Sequence, residues 1–395
     1  MKEKIKHFLF NETRMKAYVL TFLPAILSFI QLNVFINISI VNSNFFYSQY
    51  ALCFMLMGIL ALNTNYVFIV RNSKGEVTSS FEYVLIICFR LSTFCLIITP
   101  ILIYNYDLKD SLGIIFFGLF RLVLESINNY YRALNDVNIL FKNCLKIMIL
   151  NTIALIFIFF TKSSFYLPLI ISDLICLILI SFPFISDIKE KFTQNINFKN
   201  LFKTYYTRIA PLSLSSIREN LSGQGIIYFA SLTLGQSSLT ILINTVKVFS
   251  VGNILNSTLS NYYIQDVLKN NKRKLVEELF LACTIFLSFI VIILILKQTQ
   301  LFNNLYVDLN FFYIALFYIG IIVSMQYSIY QSQKIGNKKY KLIYIFESSS
   351  IIIFLIIFLY SYNLWIFFIS SFISFSSSFL IINLIKKINV YNKRN

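Results

Sequence analysis

The chain has 395 residues, of which 57% are hydrophobic and 13% charged, with a mean hydropathy of +0.73. A soluble protein of that length needs far more polar residues to cover its surface. The composition, with 42 Phe and 25 Tyr, therefore indicates a polytopic membrane protein. The net charge of +17 raises the possibility of a nucleic-acid ligand, which the placement of the charges argues against below.

The opening MKEKIKHFLFNETRMK resembles the basic front of a signal peptide, but no small-residue cleavage site follows it. The first apolar run is long enough to span, so a retained first helix is expected. A spanning helix needs about 20 mostly apolar residues. Such runs occur at 17–40, 46–70, 82–104, 111–132, 143–161 and 166–185, and again at 208–233, 238–263, 277–297, 309–330, 341–361 and 364–386. They are too long for barrel strands and do not alternate with period two. The expected fold class is an all-α membrane protein of about twelve transmembrane helices in two six-helix lobes, 1–185 and 208–395.

Between the lobes, 186–207 is expected to be a cytoplasmic connector. Phe198, Leu201, Phe202 and Tyr205 form one helical stripe there among Lys199, Asn200 and Lys203, as in a helix lying at the membrane interface. An ordinary basic loop is the plainer reading. With six spans per lobe, any repeat is parallel; Pro24 and Pro211, each early in the first span of its lobe, fit one.

Of the 34 Lys and Arg, 27 fall in one set of alternate loops and span ends, three (Lys109, Lys162, Lys297) in the other set, and four within spans. That bias places both termini in the cytoplasm and makes the basic excess a topology signal and an anionic-lipid contact. The outside loops are short. The six cysteines (Cys53, Cys88, Cys95, Cys144, Cys176, Cys283) sit within spans without metal-ligand spacing and read as packing residues. The one histidine, His7, lies in the basic tail, so neither a metal site nor a cofactor is expected.

The four intramembrane cations are Arg90, Arg121, Arg218 and Lys247. Each lies about 12–16 Å from the nearer span end, close to the middle of the hydrocarbon core. Unless it faces protein or water, each costs about 2.5–3.5 kcal/mol to insert. In the fourth span Arg121, Glu125, Asn128 and Arg132 recur at i, i+4, i+7, i+11. Arg121 and Glu125 are spaced to pair directly, either as a neutralised stitch between helices or as part of a transport path.

In SSIRENLSGQG of the seventh span, Arg218 shares a face with Ser215, Ser222 and Gly225, while Glu219 points about 100° away. Gly223 and Gly225 remove bulk beside Gln224, so a second helix or a ligand is expected to approach closely. Asn220 adds a further amide. The eighth span adds Thr240, Asn244 and Lys247 at i, i+4, i+7, with Asn253, Asn256 and Ser260 beyond. Two readings stay open: an interhelical polar network, or a water-filled cavity whose cations hold an anionic ligand. Four acids, Glu125, Asp173, Glu219 and Glu347, balance the four cations within spans. They serve as pairing partners or as coupling acids. Glu347 has no cation at i±4, which marks it as a proton-carrying candidate or a hydrogen-bonded structural acid.

Twelve spans in two lobes, the basic connector, YYRALND after the fourth span and APLSLSSIRENLSGQGIIYFASLTLG (210–235) together resemble the Wzx-type O-antigen and polysaccharide flippases. These belong to the multidrug/oligosaccharidyl-lipid/polysaccharide (MOP) exporter superfamily. The resemblance covers the whole chain in topology, through diffuse motifs. It implies a MATE-like fold in the bacterial cytoplasmic (inner) membrane. The implied activity is flipping of undecaprenyl-diphosphate-linked oligosaccharide, an O-antigen or capsule repeat unit, by alternating access. The partners it implies are that lipid, the bilayer and other glycan-assembly membrane proteins; the chain is expected to act as a monomer, without nucleic acid.

By the same resemblance, cavity cations matter for the substrate, which fits Arg218 and Lys247. It fits the first two spans less well, since they carry only Gln31, Asn33, Asn37, Asn63 and Asn65. Two other functions remain in view. A glycan polymerase, the enzyme alternative, needs a long outside loop with arginines, which this sequence lacks. A multidrug exporter of the same fold needs a coupling acid, for which Asp173 or Glu125 could serve, but midplane arginines would repel cationic drugs. No phosphate-binding Gly loop is present, and no enzymatic activity is expected.

Overall fold

The structure is a computed structural model that describes residues 12–60, 80–134, 136–191, 214, 216–218 and 220–247, with short helical pieces at 287, 291, 295, 347–349, 351–353 and 355–356. The described residues hold helices and no strands. The chain divides into two compact units, Met1–Ile209 and Ala210–Asn395. The expected connector stripe around Phe198–Tyr205 lies outside the described residues, as do the tenth and twelfth expected spans.

In the first unit, α1 (Glu12–Ile38) and α2 (Ile40–Leu60) are separated by Ser39 alone. The hydroxyl of Ser39 accepts from the Asn42 N–H at 3.2 Å, and its carbonyl accepts from Ser43. This is an N-cap, and it starts α2 six residues before the apolar run expected at 46. α3 (Ser80–Thr93) continues through a π-helical turn (Phe94–Ile98) into α4 (Thr99–Ala133), which is broken at Asp107 (φ 61°, ψ 161°). Tyr83 meets Tyr130, Arg90 meets Ser126 and Phe94 lies against Gly118. The chain therefore folds back on itself near Asp107, and the third and fourth expected spans are the two arms.

Asp136 caps α5 (Val137–Thr161) by accepting from the Ile139 N–H at 3.0 Å, so this helix too begins six residues before its apolar run. Lys162, in the left-handed region (φ 50°), ends α5 with its N–H on the Ile158 carbonyl. α6 (Tyr166–Lys191) closes the described part of the unit, running six residues past the expected span end.

The segments Tyr83–Tyr131, Asn138–Thr161 and Tyr166–Asp187 are each long and apolar enough to cross a bilayer, the first of them twice about its break. Ile149, Ile153, Ile156 and Phe160 repeat at i, i+4, i+7, i+11 and are all exposed, an outward stripe suited to lipid. Two aromatic layers fill the unit. Phe35 stacks on Phe165 (4.0 Å, 3°) with Phe46 edge-on at 5.0 Å; in the other layer Tyr83, Tyr130, Tyr131 and Phe184 pack with Ile127 and Ile180. Of the six cysteines, Cys53, Cys88, Cys95, Cys144 and Cys176 are free, and Cys283 lies outside the described residues.

α4 approaches its neighbours through glycine. A Cβ on Gly118 would stand 2.7 Å from Cys53 Sγ and 3.1 Å from the Phe94 ring, both in the buried core. Gly118→Val is expected to lower stability by about 1–3 kcal/mol through overpacking. The melting temperature of the purified protein in detergent reads this directly; an unchanged value would show that α2 and α4 are not in contact there.

In the second unit a helical segment containing Ser216, Arg218 and Asn220 runs into a π-helical turn (Leu221–Gly225) and then α7 (Ile226–Thr233); a further helix covers 236–247. The π-turn falls on LSGQG, so the stretch carrying the polar residues is a local widening of a continuing helix.

Candidate functional site

α3 and α4 bring Arg90 to the polar face of the fourth span. Arg90 Nη1 donates to Ser126 Oγ at 2.9 Å, and Nη2 stands 3.5 Å from Glu125 Oε1. Asn129 Nδ2 donates to the same carboxylate oxygen at 3.3 Å, and the Tyr83 hydroxyl donates to the Ser126 carbonyl at 2.7 Å. Arg90 is buried and held on several sides. Glu125 keeps 48% of its side chain exposed.

Arg121 does not pair with Glu125, as the i, i+4 spacing suggests. Its Nε donates to Asp173 Oδ2 of α6 at 2.6 Å, and its guanidinium lies 5.2 Å from the centre of the Phe117 ring. Asp173 is completely buried while Arg121 is 27% exposed. The physical reason for the exchange is burial. Glu125 is half exposed and already meets Arg90 and Asn129, whereas a sealed carboxylate must have a cation of its own. The second Asp173 oxygen, Oδ1, is buried with no hydrogen-bond partner among the described residues. Asn128 accepts from Asn143 Nδ2 of α5 at 3.1 Å, which extends the polar face sideways.

In the second unit, Arg218 Nε stands 2.7 Å from Glu347 Oε2, with the two side chains 2% and 0% exposed. Glu347, which has no cation at i±4 in its own span, thus stands against the Arg218 guanidinium from another. Asn220 turns back on its own helix, donating to the Ser216 carbonyl at 2.7 Å. Glu219 lies outside the described residues. A Cβ on Gly223 would meet nothing within 4 Å. No helix therefore packs on Gly223 among the described residues, and the space beside it stands open. Gln224 Oε1 and Asn244 Oδ1 are buried acceptors with no hydrogen-bond partner among the described residues. Lys247, one helical turn beyond Asn244, is only 7% exposed.

The sequence reading missed Tyr50 and Phe54 of α2. Their rings stack at 4.1 Å and 19°, and both lie about 6 Å from Phe117, the ring that carries Arg121 (6.2 Å and 6.3 Å). Their i, i+4 spacing was the available signal, but in a chain with 42 Phe and 25 Tyr it does not stand out. It also missed Gln49, which donates to the Asp110 carbonyl at 3.1 Å and accepts from the Tyr166 hydroxyl. No cluster of metal-ligating side chains occurs among the described residues.

No protein-family model and no curated protein matches the chain. Solved structures do. A multidrug-resistance MATE family transporter of the MOP superfamily, in its outward-facing conformation, aligns with a TM-score of 0.60 at 12% identity, over 97% of this chain and 96% of that one. A eukaryotic MATE transporter aligns at 0.58 and 12% identity, over 94% and 93%. A MOP superfamily transporter from Pyrococcus furiosus, described by the reverse polarity of its binding pocket, aligns at 0.52 and 12%, over 96% and 99%. At such identities the likeness is one of fold, and it extends over nearly the whole chain. The chain is an all-α membrane protein with the fold of the MATE transporters.

Proposed function

We propose that the chain is a flippase that moves an undecaprenyl-diphosphate-linked oligosaccharide, an O-antigen or capsule repeat unit, across the cytoplasmic membrane by alternating access. The observation that carries this reading is Arg121. It is a guanidinium at mid-depth of an apolar helix, bound to Asp173 through Nε alone, and it keeps a quarter of its surface open. An open cation at that depth is costly unless it meets water or an anion. In this reading Lys247 is assigned to the anionic head group, and Arg121 to a polar group of the substrate. Arg90 and Arg218, each buried against an acid, position helices. Gln224, next to Gly223 in sequence, and Asn244 carry buried acceptor oxygens without a hydrogen-bond partner among the described residues, and glycan hydroxyls suit them. A transporter of this fold from Pyrococcus furiosus is itself described by a binding pocket of reverse polarity that suggests a different function.

The test is surface-glycan display in a strain lacking its own flippase, with the amount of protein in the membrane measured alongside. Lys247→Ala should lower display about tenfold or more, since a charge-assisted hydrogen bond is worth about 1.5–3 kcal/mol. Lys247→Arg should retain most of it, with protein levels equal throughout. Full display by Lys247→Ala would remove Lys247 from the substrate path.

One observation favours a second reading. Glu125 is half exposed at mid-depth, which suits export of a cationic drug by the same fold. Raised drug resistance in cells expressing the chain, lost in Glu125→Gln, together with no effect on glycan display, would establish that reading in place of the first.

A further inference from the structure

We propose that the face shared by α2 and α4 of the first unit, formed by Tyr50, Phe54, Arg121 and Glu125, is a carbohydrate subsite that takes one pyranose ring of the substrate. The proposal rests on the flippase reading and names where a sugar, as distinct from the diphosphate, is held. Tyr50 and Phe54 lie one turn apart on α2, stacked at 4.1 Å and 19°, and both are partly exposed. Phe117 is buried beneath them and fixes the shelf against α4. Arg121 lies over that same ring, with Glu125 one turn further along α4. The shelf therefore passes from aromatic faces to a guanidinium and then to a carboxylate.

The occupant follows from the chemistry of the face. A half-exposed carboxylate and a quarter-exposed guanidinium at mid-depth are incompatible with lipid. A bare phosphate would suit Arg121 alone and find no partner in Glu125 or in the two rings. A cationic aromatic compound would suit Glu125 and the rings and be repelled by Arg121. A sugar ring satisfies all four residues: its C–H face lies on the aromatic rings, one hydroxyl donates to Glu125, and another accepts from Arg121. Asp173 helps by holding Arg121 through Nε, which orients the guanidinium without covering it.

The experiment uses the full chain in nanodiscs and two lipids, undecaprenyl diphosphate carrying a disaccharide and undecaprenyl diphosphate alone. Wild type should bind the glycosylated lipid more tightly. Tyr50→Leu and Phe54→Leu should weaken that lipid about five- to tenfold, the scale of an aromatic contact, and leave the bare lipid unchanged. Phe54→Tyr should bind like wild type, and melting temperatures should show all variants folded. With the native cysteines replaced by alanine, Phe54→Cys should react with a water-soluble thiol reagent and be protected by the glycosylated lipid. Equal weakening of both lipids, equal wild-type affinity for both, or an unreactive Phe54→Cys, as when protein covers the face, would each overturn the subsite while leaving the flippase reading in place. Wild type binding neither lipid above a phospholipid control would overturn the flippase reading itself.

Discussion

Glu347→Ala will destabilise the protein more than Arg218→Ala, and replacing both residues by methionine will destabilise it less than either. The two side chains are buried and 2.7 Å apart. Breaking such a pair costs about 3–5 kcal/mol, because one charge is left without its partner in a low-dielectric interior. The two halves of the pair differ in how they escape that cost. A stranded carboxylate can take up a proton and become neutral, whereas a guanidinium keeps its charge in any protein. Losing Glu347 therefore leaves the harder problem. The double methionine variant leaves neither charge of the pair behind and fills similar volume, and for buried ion pairs such replacements are neutral or stabilising by about 1–4 kcal/mol. The measurement is the melting temperature of each variant in detergent, with membrane abundance as the cellular counterpart. If Arg218→Ala melts like wild type while surface glycan is lost, Arg218 acts on the substrate and the pair is incidental to the fold.

This ordering rests on a pairing that the sequence alone does not report, and that shows where a sequence stops being legible. Hydropathy runs give spans because the bilayer imposes a length, and helix is the form that satisfies a single segment's backbone in lipid. The depth of Arg90, Arg121 and Arg218 follows from counting residues, and the structure keeps all three in buried or half-buried positions. Their partners do not follow from counting. Each partner comes from a different helix or helix arm, placed by packing that no spacing rule reports. The one rule that speaks locally, i to i+4, pairs Arg121 with Glu125 and misses Asp173, since it carries no information about which acid is sealed from water. Helix starts at Ser39 and Asp136 were displaced from the apolar runs for a comparable reason: a polar cap begins a helix where hydropathy sees only a loop. The π-turn at Leu221–Gly225 is invisible to a composition window because it alters hydrogen-bond register and not polarity.

The same pairing logic gives an opposite order for the other sealed acid. Arg121→Leu is expected to cost more stability at neutral pH than Asp173→Leu. Asp173 is fully buried, with one oxygen already lacking a hydrogen-bond partner among the described residues, so removing Arg121 takes away its remaining described partner. The loss should approach the roughly 3–5 kcal/mol of a broken buried pair. Arg121, by contrast, keeps an open edge and the Phe117 ring when Asp173 is removed, so its charge can be hydrated in place; a cost of about 1–3 kcal/mol is expected there. The measurement is the melting temperature of each variant in detergent at neutral pH. An Arg121→Leu variant that melts like wild type would mean that Asp173 is not sealed, and that the guanidinium beside it is free to turn to the substrate.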